Sequence, residues 1–447
     1  MKKFNFPHPL TILLFFIGLS AVLTHLIPAG SYDRVTDPET GREVVVSNSY
    51  EQVEAEPIGV FDAVIKVPEG IIYGADLVVL ILIIGGAFIV VDKTGAFNDG
   101  ISALIHRFQH AKSRVMILVG IVFATAGALN HTFEEIIAMI PFLVVMAGRL
   151  GYTKISAIAI SAGCASIGAA FSPINPFGVL IAQKISEVTP FSGSWFRIIV
   201  LLIVLTFWIW WVLRNGKDEH SEHEVKPDDH STEKLPTRSA IILYLILFTF
   251  AFMVYGIMTW DWGYNEMSAL FLVTGFAAGL IGQLGHNGTS KAYAFGINEM
   301  AFAAIIVGLA RSIYLVLQDG MIIDTIVYGL FNPLQDLPVY LSAVGMMISH
   351  LLIHIPIPSS SGHAVLTMPL LTPLSDLIGI SRQVMILCYQ YGGIIMDMIT
   401  PTNGTLLAIL TAAGVSYKDW LLYCWRSFGI ILGISLISIT IAIFIGL

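Results

Sequence analysis

Ser172-Pro173-Ile174-Asn175-Pro176 and Thr400-Pro401-Thr402-Asn403-Gly404-Thr405 each fall in the middle of a long apolar run, residues 154–188 and 381–415. Each run is too long for a single crossing, since about 20 helical residues span a ~30 Å hydrocarbon core. Proline removes a backbone donor and disrupts the preceding turn, so both runs read as helices broken part-way. In hydrocarbon an unpaired backbone group is tolerated only inside protein or beside a cavity. The freed carbonyls and the side-chain oxygens of these two stretches can ligate a small hard cation. The half-helix N-termini can hold a carboxylate. A plain proline kink would explain either stretch alone; two at matched positions argue against it.

The match is specific. One constant offset pairs Ser172 with Thr400, Pro173 with Pro401, Asn175 with Asn403, Pro141 with Pro369, and Gly151 with Gly379. Slightly upstream, Gly95-x-x-x-Asp99 pairs with Gly320-x-x-x-Asp324. The sequence thus predicts two repeats, residues 71–213 and 291–447, each with a re-entrant hairpin (114–149 and 338–376) followed by a broken helix (154–188 and 381–415).

Composition demands lipid around them. Of 447 residues, 56% are apolar and only 12% charged, at a mean hydropathy of +0.80; a soluble chain carries about a quarter charged residues. Single spans are expected near 9–28, 71–91, 196–213, 238–258, 266–284, 301–318 and 422–446. Met1-Lys2-Lys3 before an apolar run reads as an uncleaved first span (1–28), because Ile27-Pro28-Ala29 lacks a small-x-small cleavage site. Residues 29–70 form an extracytoplasmic loop with short strands around Glu43–Ser47. Residues 214–237 form a cytoplasmic linker, and two connecting spans occupy 238–290. Cys164, Cys388 and Cys424 have no disulfide or zinc spacing. The net charge of −8, without a basic patch, gives no sign of a nucleic-acid partner.

Orientation follows from Lys and Arg. A cytoplasmic N-terminus gathers Lys2, Lys3, Lys93, Arg107, Lys112, Arg114, Arg149, Lys154, Arg214, Lys217, Lys226, Lys234, Arg238, Lys291, Lys418 and Arg426 on the inner side. The outer side then receives only Arg34, Arg42, Lys66, Arg197 and Arg382. Under this orientation the first repeat enters from outside and the second from inside, an inverted-topology repeat of the kind secondary transporters use.

The hairpin tips supply further polar groups at membrane depth. The first reads Asn130-His131-Thr132-Phe133-Glu134-Glu135 and the second Pro358-Ser359-Ser360-Ser361-Gly362-His363. Acids at this depth are costly and usually functional, and two adjacent ones either share a proton or face a cation. Asp397, six residues before Asn403, is placed to line the same cavity. Arg311 pairs with a substrate carboxylate or with a structural acid. His350 and His354, at i,i+4, are interior histidines or half of a metal site.

Several stretches resemble a known family: Ser359-Ser360-Ser361-Gly362-His363-Ala364 through Leu366-Thr367-Met368-Pro369-Leu370-Leu371, then Asp376, Gly379 and Arg382-Gln383-Val384. So do Pro28-x-Gly30, Gly85-Gly86-Ala87-Phe88, Glu134-Glu135 and Asn175-Pro176-Phe177. Together they look like the YfcC-like branch of the anaerobic dicarboxylate carriers, within the ion transporter superfamily. That resemblance implies a homodimer with a fixed scaffold and a transport domain moving as an elevator. Family names include four-carbon dicarboxylate carriers and candidate basic amino acid or arginine–ornithine antiporters. In related sodium-coupled carriers, polar motifs at the tips and breaks bind substrate and ion. The matching positions here are Asn130, His131, Thr132, Ser172 and Asn175, then Ser359, Ser360, Ser361, Thr400, Thr402, Asn403 and Thr405. Gly362, His363, Glu134, Glu135 and Asp397 join them as candidates, with sodium ligands expected at Asn130, Asn175, Ser360 and Asn403. The chain departs from the family pattern at its Asn-His-Thr-Phe tip, at His363 in place of a glutamine, and at Gly393 in place of an acid.

The expectation is an all-α polytopic protein of a bacterial inner membrane. It moves a small carboxylate-bearing metabolite, amino acid or organic acid, with sodium or a proton as coupling ion and no other cofactor. An intramembrane metal-assisted hydrolase, suggested by His131-x-x-Glu134-Glu135, and a passive channel are the rival readings. The hydrolase lacks a second ligand set at helical spacing, since Met139 stands where one would fall.

Overall fold

The computed structural model describes residues 7–36, 43–54, 56–107, 112–217, 235–260 and 262–447. Lys2, Lys3, Arg42, Lys226 and Lys234, which count toward the expected orientation, lie outside the described residues, as does most of the 214–237 linker.

The chain begins with α1 (Pro9–Leu26) and four short strands, β1 (Gly30–Ser31), β2 (Arg34–Thr36), β3 (Glu43–Val45) and β4 (Glu51–Gln52). β1 pairs with β4 and β2 with β3, both antiparallel. The strands expected near Glu43 are therefore present. The segment read as loop to residue 70 also contains a helix, α2 (Val60–Tyr73), which Gly74 separates from α3 (Ala75–Lys93). A short α4 (Ala96–Arg107) precedes the first hairpin, α5 (Lys112–Asn130) and α6 (Ile136–Arg149).

The first broken helix follows as α7 (Lys154–Ala170) and α8 (Pro176–Ile185), with Phe171–Asn175 non-helical between them. α9 (Ser194–Asn215), α10 (Thr237–Trp260) and α11 (Tyr264–Ile281) are single spans by length. α12 (Gly285–Asp319) is 35 residues long, or roughly 52 Å at 1.5 Å per residue. It starts well before the expected span at 301–318 and crosses the expected boundary at 290. Its polar opening, Gly285-His286-Asn287-Gly288, reads as a loop until α3 and α11 are seen packing along it.

A short α13 (Ile323–Phe331) leads to the second hairpin, α14 (Val339–Ile353) and α15 (Ser360–Ile378). Then come α16 (Arg382–Gly392), a 3-10 turn at Ile394–Met398, the break, α17 (Gly404–Ala413) and the final span α18 (Tyr417–Phe444). Among the described residues, eight helices are long and apolar enough to cross a membrane. Leu118, Ile121, Val122, Leu202, Leu247, Phe248 and Val273 are exposed on them, as lipid contact requires.

Hydrogen bonds sort the helix ends onto two faces. On one, Arg149 Nη2 donates to Asn98 Oδ1, Arg238 to Gln283, and Ser156 Oγ to the Gly216 carbonyl. Ser113 Oγ meets Tyr152 OH at 3.1 Å, so the first hairpin starts and ends on this face. On the other, Arg34 Nη2 and the Tyr32 N–H donate to Asp324, and Lys66 pairs with Asp319. There Arg382 reaches Asp376 and Glu187, and Ser381 Oγ donates to the Leu447 carbonyl. The second hairpin starts and ends on this second face.

Small residues let the hairpin arm and the broken helix touch. A Cβ on Gly127 of α5 would fall 2.0 Å from the Ala165 carbonyl, and one on Gly168 of α7 would fall 2.0 Å from the Ala124 carbonyl. In lipid, where apolar burial between helices gains little, such backbone approach supplies the van der Waals contact that holds helices together.

Candidate functional site

Both breaks are capped by their own asparagine. Asn175 Oδ1 accepts the Phe177 N–H at 2.9 Å, and Asn403 Oδ1 accepts the Leu406 N–H at 3.0 Å. An N-cap oxygen satisfies one of the orphan donors at a helix start, and it also fixes which way each amide points. Asn175 Nδ2 consequently donates to the Gly127 carbonyl beside the first tip, at 2.9 Å. Ser172 Oγ donates to the Ala128 carbonyl and accepts the N–H groups of Ile174 and Asn175. The first break is thereby welded to the first hairpin.

At the second break the asparagine amide meets a carboxylate. Asp397, 4% exposed, accepts Asn403 Nδ2 at 2.8 Å on Oδ1. His354 Nε2 lies 2.9 Å from that same oxygen, and His131 Nε2 lies 3.3 Å from Oδ2. His131 comes from the first tip, where its φ of 54° is left-handed. Non-glycine residues rarely adopt that conformation, and they do so mostly at functional turns. His354 caps α14 and His363 stands on α15; His350 Nδ1 and His363 Nε2 are 2.8 Å apart. The i,i+4 pair His350 and His354 thus faces two different partners. Asp397 joins the first tip, the end of α14 in the second hairpin, and the second break.

A cavity of about 890 Å³ opens beside this junction. Of the expected site residues, Asn130, His131, Glu134, Glu135, Ser359, Ser360, Ser361, Gly362, Asp397, Asn403 and Thr405 line it. Ser172, Asn175, Thr132, Thr400, Thr402 and His363 lie behind the lining. There Thr132 donates to the Ala126 carbonyl and Thr402 to the Ile355 carbonyl. Four of the expected residues have a buried side-chain oxygen with no partner: Asn130 Oδ1, Glu135 Oε2, Ser360 Oγ and Thr400 Oγ1. The first three belong to the cavity wall, where a ligand can complete them. Of the expected sodium ligands, Asn130 and Ser360 therefore present uncommitted oxygens, whereas Asn175 and Asn403 have theirs engaged as caps.

The cavity has a mouth and an aromatic wall that sequence reasoning did not supply. Arg34, Glu43 and Val45 from the strands and Asp324 from α13 line its outer part, on the second face. Trp262, Tyr264, Tyr73 and Tyr314 line its side, with Arg311 between them. The Arg311 guanidinium lies over the Tyr73 ring, 5.8 Å from its centroid. Nothing in the sequence brings Arg34 to Asp324, 290 positions apart, so only the fold reveals the mouth. Behind the wall, buried Arg197 donates to Gln390 Oε1 at 2.7 Å, and Gln390 Nε2 donates to the Ser172 carbonyl at 2.9 Å.

Comparison with known proteins adds a family. The model of the C4-dicarboxylate anaerobic carriers, DcuC, matches residues 6–444. A Haemophilus influenzae protein of unassigned function is 28% identical over 99% of this chain and 98% of its own length. YfcC of Escherichia coli (strain K12), a candidate basic amino acid antiporter by name, is 28% identical over 94% of this chain and 93% of its own. Two solved transporters cover nearly the whole chain. YdaH of Alcanivorax borkumensis has 15% identity and a TM-score of 0.45, covering 98% of this chain and 99% of its own. MtrF of Neisseria gonorrhoeae, from a class of antimetabolite efflux pumps, has 16% identity and a TM-score of 0.44, covering 98% and 95%.

Proposed function

Because the chain belongs to the C4-dicarboxylate anaerobic carrier family, a family of membrane transporters, we propose that it is a secondary active carrier of a small carboxylate-bearing metabolite. The cargo is an amino acid or an organic acid, and a sodium ion or proton drives symport or exchange across the bacterial inner membrane. One observation carries this reading: both hairpin tips and the second break converge on one cavity, where Asp397 meets His131 of the first tip, His354 at the end of α14 and Asn403 of the second break. Irregular backbone at membrane depth is tolerated beside a cavity, and carriers place substrate at such breaks.

The two hairpins start and end on opposite faces, and each is followed by a helix broken at a capping asparagine. This supports an inverted pair of repeats. In an elevator mechanism the hairpins and broken helices move as a body against α2, α3 and α12. Two copies of the chain form the working unit. With the N-terminus in the cytoplasm, as the positive-inside rule favours, the cavity mouth faces outward. The uncommitted oxygens of Asn130 and Ser360 support a bound cation, substrate or coupling ion.

The test is uptake by proteoliposomes of labelled amino acids and organic acids, with and without a sodium or proton gradient. Gradient-driven accumulation is expected, and Asn175→Ala or Asn403→Ala should abolish it. If both variants take up substrate like the parent protein, the site is misassigned; if flux follows only the substrate's own gradient, the chain is a channel or uniporter.

A further inference from the structure

Arg311 stands about three-quarters of the way along α12, within its apolar stretch, where an unpaired guanidinium is costly. Among the described residues it has no ion pair and no hydrogen bond to a side chain, and its guanidinium lies over the Tyr73 ring. The packing nonetheless makes room for it, since a Cβ on Gly74, at the α2–α3 junction, would meet the Arg311 stem at 3.3 Å. Its neighbour Ala310 packs on Gly404, the first residue of α17, where an added Cβ would fall 2.8 Å away. The guanidinium is thereby held beside the second break and on the cavity wall.

The first tip supplies the opposite charge. Glu134 and Glu135 line the same cavity, and Glu134 lies within electrostatic reach of Arg311 without forming an ion pair with it. Glu135 is 5% exposed, and its Oε2 has no partner, as is true of Asn130 Oδ1 and Ser360 Oγ nearby. One side of the cavity therefore offers donors and positive charge, and the other offers acceptors and negative charge. A dicarboxylate would complete Arg311 but leave the acids facing like charge. A simple amine would do the reverse.

We infer that the cavity binds a dipolar ligand, with its carboxylate on Arg311 and its ammonium on Glu134 and Glu135, so that α12 and the first hairpin tip are bridged by the substrate. This inference rests on the carrier reading and narrows its cargo to amino acids. Arg311 becomes the carboxylate anchor. The aromatic wall of Trp262 and Tyr264 gives the ammonium end a π-face.

The experiment is ligand binding to the purified full-length protein, by calorimetry and thermal shift. The panel is each standard amino acid, succinate, fumarate, lactate and acetate. The best-binding amino acid is then compared with its decarboxylated amine and its 2-oxo acid. The expected result is binding of an amino acid, with each truncated analogue weaker by about 10- to 100-fold, the range of a lost hydrogen bond to a charged group. In Arg311→Gln, the amino acid and its decarboxylated amine should bind alike. In Glu134→Gln/Glu135→Gln, the amino acid and its 2-oxo acid should converge. Should the double variant not fold, the half-buried Glu134→Gln alone gives the same comparison in smaller measure. A merely structural arginine would lower all affinities together and leave their ratio unchanged, which overturns the assignment. Binding of succinate or fumarate but no amino acid overturns the inference while leaving the carrier reading intact. No binding by any member of the panel overturns both.

Discussion

Asp397 holds three donors on two oxygens, which makes it the residue whose loss propagates furthest. Asp397→Ala would leave Asn403 Nδ2 and His354 Nε2 buried without partners, at about 1–3 kcal/mol each. Its melting temperature in detergent should drop, and uptake should vanish. Asp397→Asn keeps the shape but turns one acceptor into a donor facing other donors. Uptake is expected to fall at least ~10-fold with a smaller loss of stability, by the same penalty for an unmatched buried group. Equal uptake by Asp397→Asn and the parent would remove Asp397 from the mechanism. The sequence made Asp397 a candidate through its distance from Asn403, but not its histidine partners. An i,i+4 spacing says that His350 and His354 share a helix side and not what that side meets. Arg311 was legible as a charge inside an apolar run, whereas its position over the Tyr73 ring depends on the fold.

At the scale of elements, the breaks were readable because proline and asparagine act locally: one removes a donor and the other caps the half-helix that starts beyond it. The hairpins were readable from polar tips between apolar arms. α2 was not, because Pro68 and Gly70 count against a helix; it forms through packing on α12, where a Cβ on Gly70 would lie 2.2 Å from Ser312 Oγ. Tertiary contact, more than propensity, stabilises most helices. The α5–α7 crossing gives a paired test. Gly127→Val would drive a side chain into the Ala165 carbonyl, and overpacking of this kind costs about 1–3 kcal/mol or more. By contrast Gly148, in the last turn of α6, has nothing within 4 Å of an added Cβ, and Gly148→Ala should stabilise through helix propensity by less than the roughly 0.5–1 kcal/mol of a mid-helix site. Thermal unfolding of the two variants should move in opposite directions; a common shift would refute the crossing.

For the whole molecule, the orientation drawn from Lys and Arg has a direct readout. Cys164, Cys388 and Cys424 are buried and should stay silent to an impermeant maleimide. Glu51→Cys, on the strand face, should label in intact cells, and Asn215→Cys, at the end of α9 on the other face, only after permeabilisation. The reverse pattern would invert the membrane topology and turn the cavity mouth inward. The strand region itself is anchored asymmetrically. Toward α13 it has the Arg34–Asp324 pair, the Tyr50–Thr325 hydroxyl contact and a Tyr50–Tyr328 stack at 4.2 Å. Toward α15 it has a Ser47 Oγ–Pro369 carbonyl bond of 2.6 Å.

That last bond exists because Pro373, one turn beyond Pro369, has no N–H to offer the Pro369 oxygen. α15 thus carries an acceptor without an i+4 donor, and here it takes the Ser47 hydroxyl. In the proposed elevator motion, sliding of α15 past α13 would break this bond and part the strands from α15, so the proline pair would act as a detent on the second hairpin. Ser47→Ala should leave ligand affinity within a single conformation untouched. It should shift the resting balance between conformations by up to about fivefold, the worth of one hydrogen bond of ~1 kcal/mol, as cross-linking or spin-label distances between Thr36 and Leu377 would report.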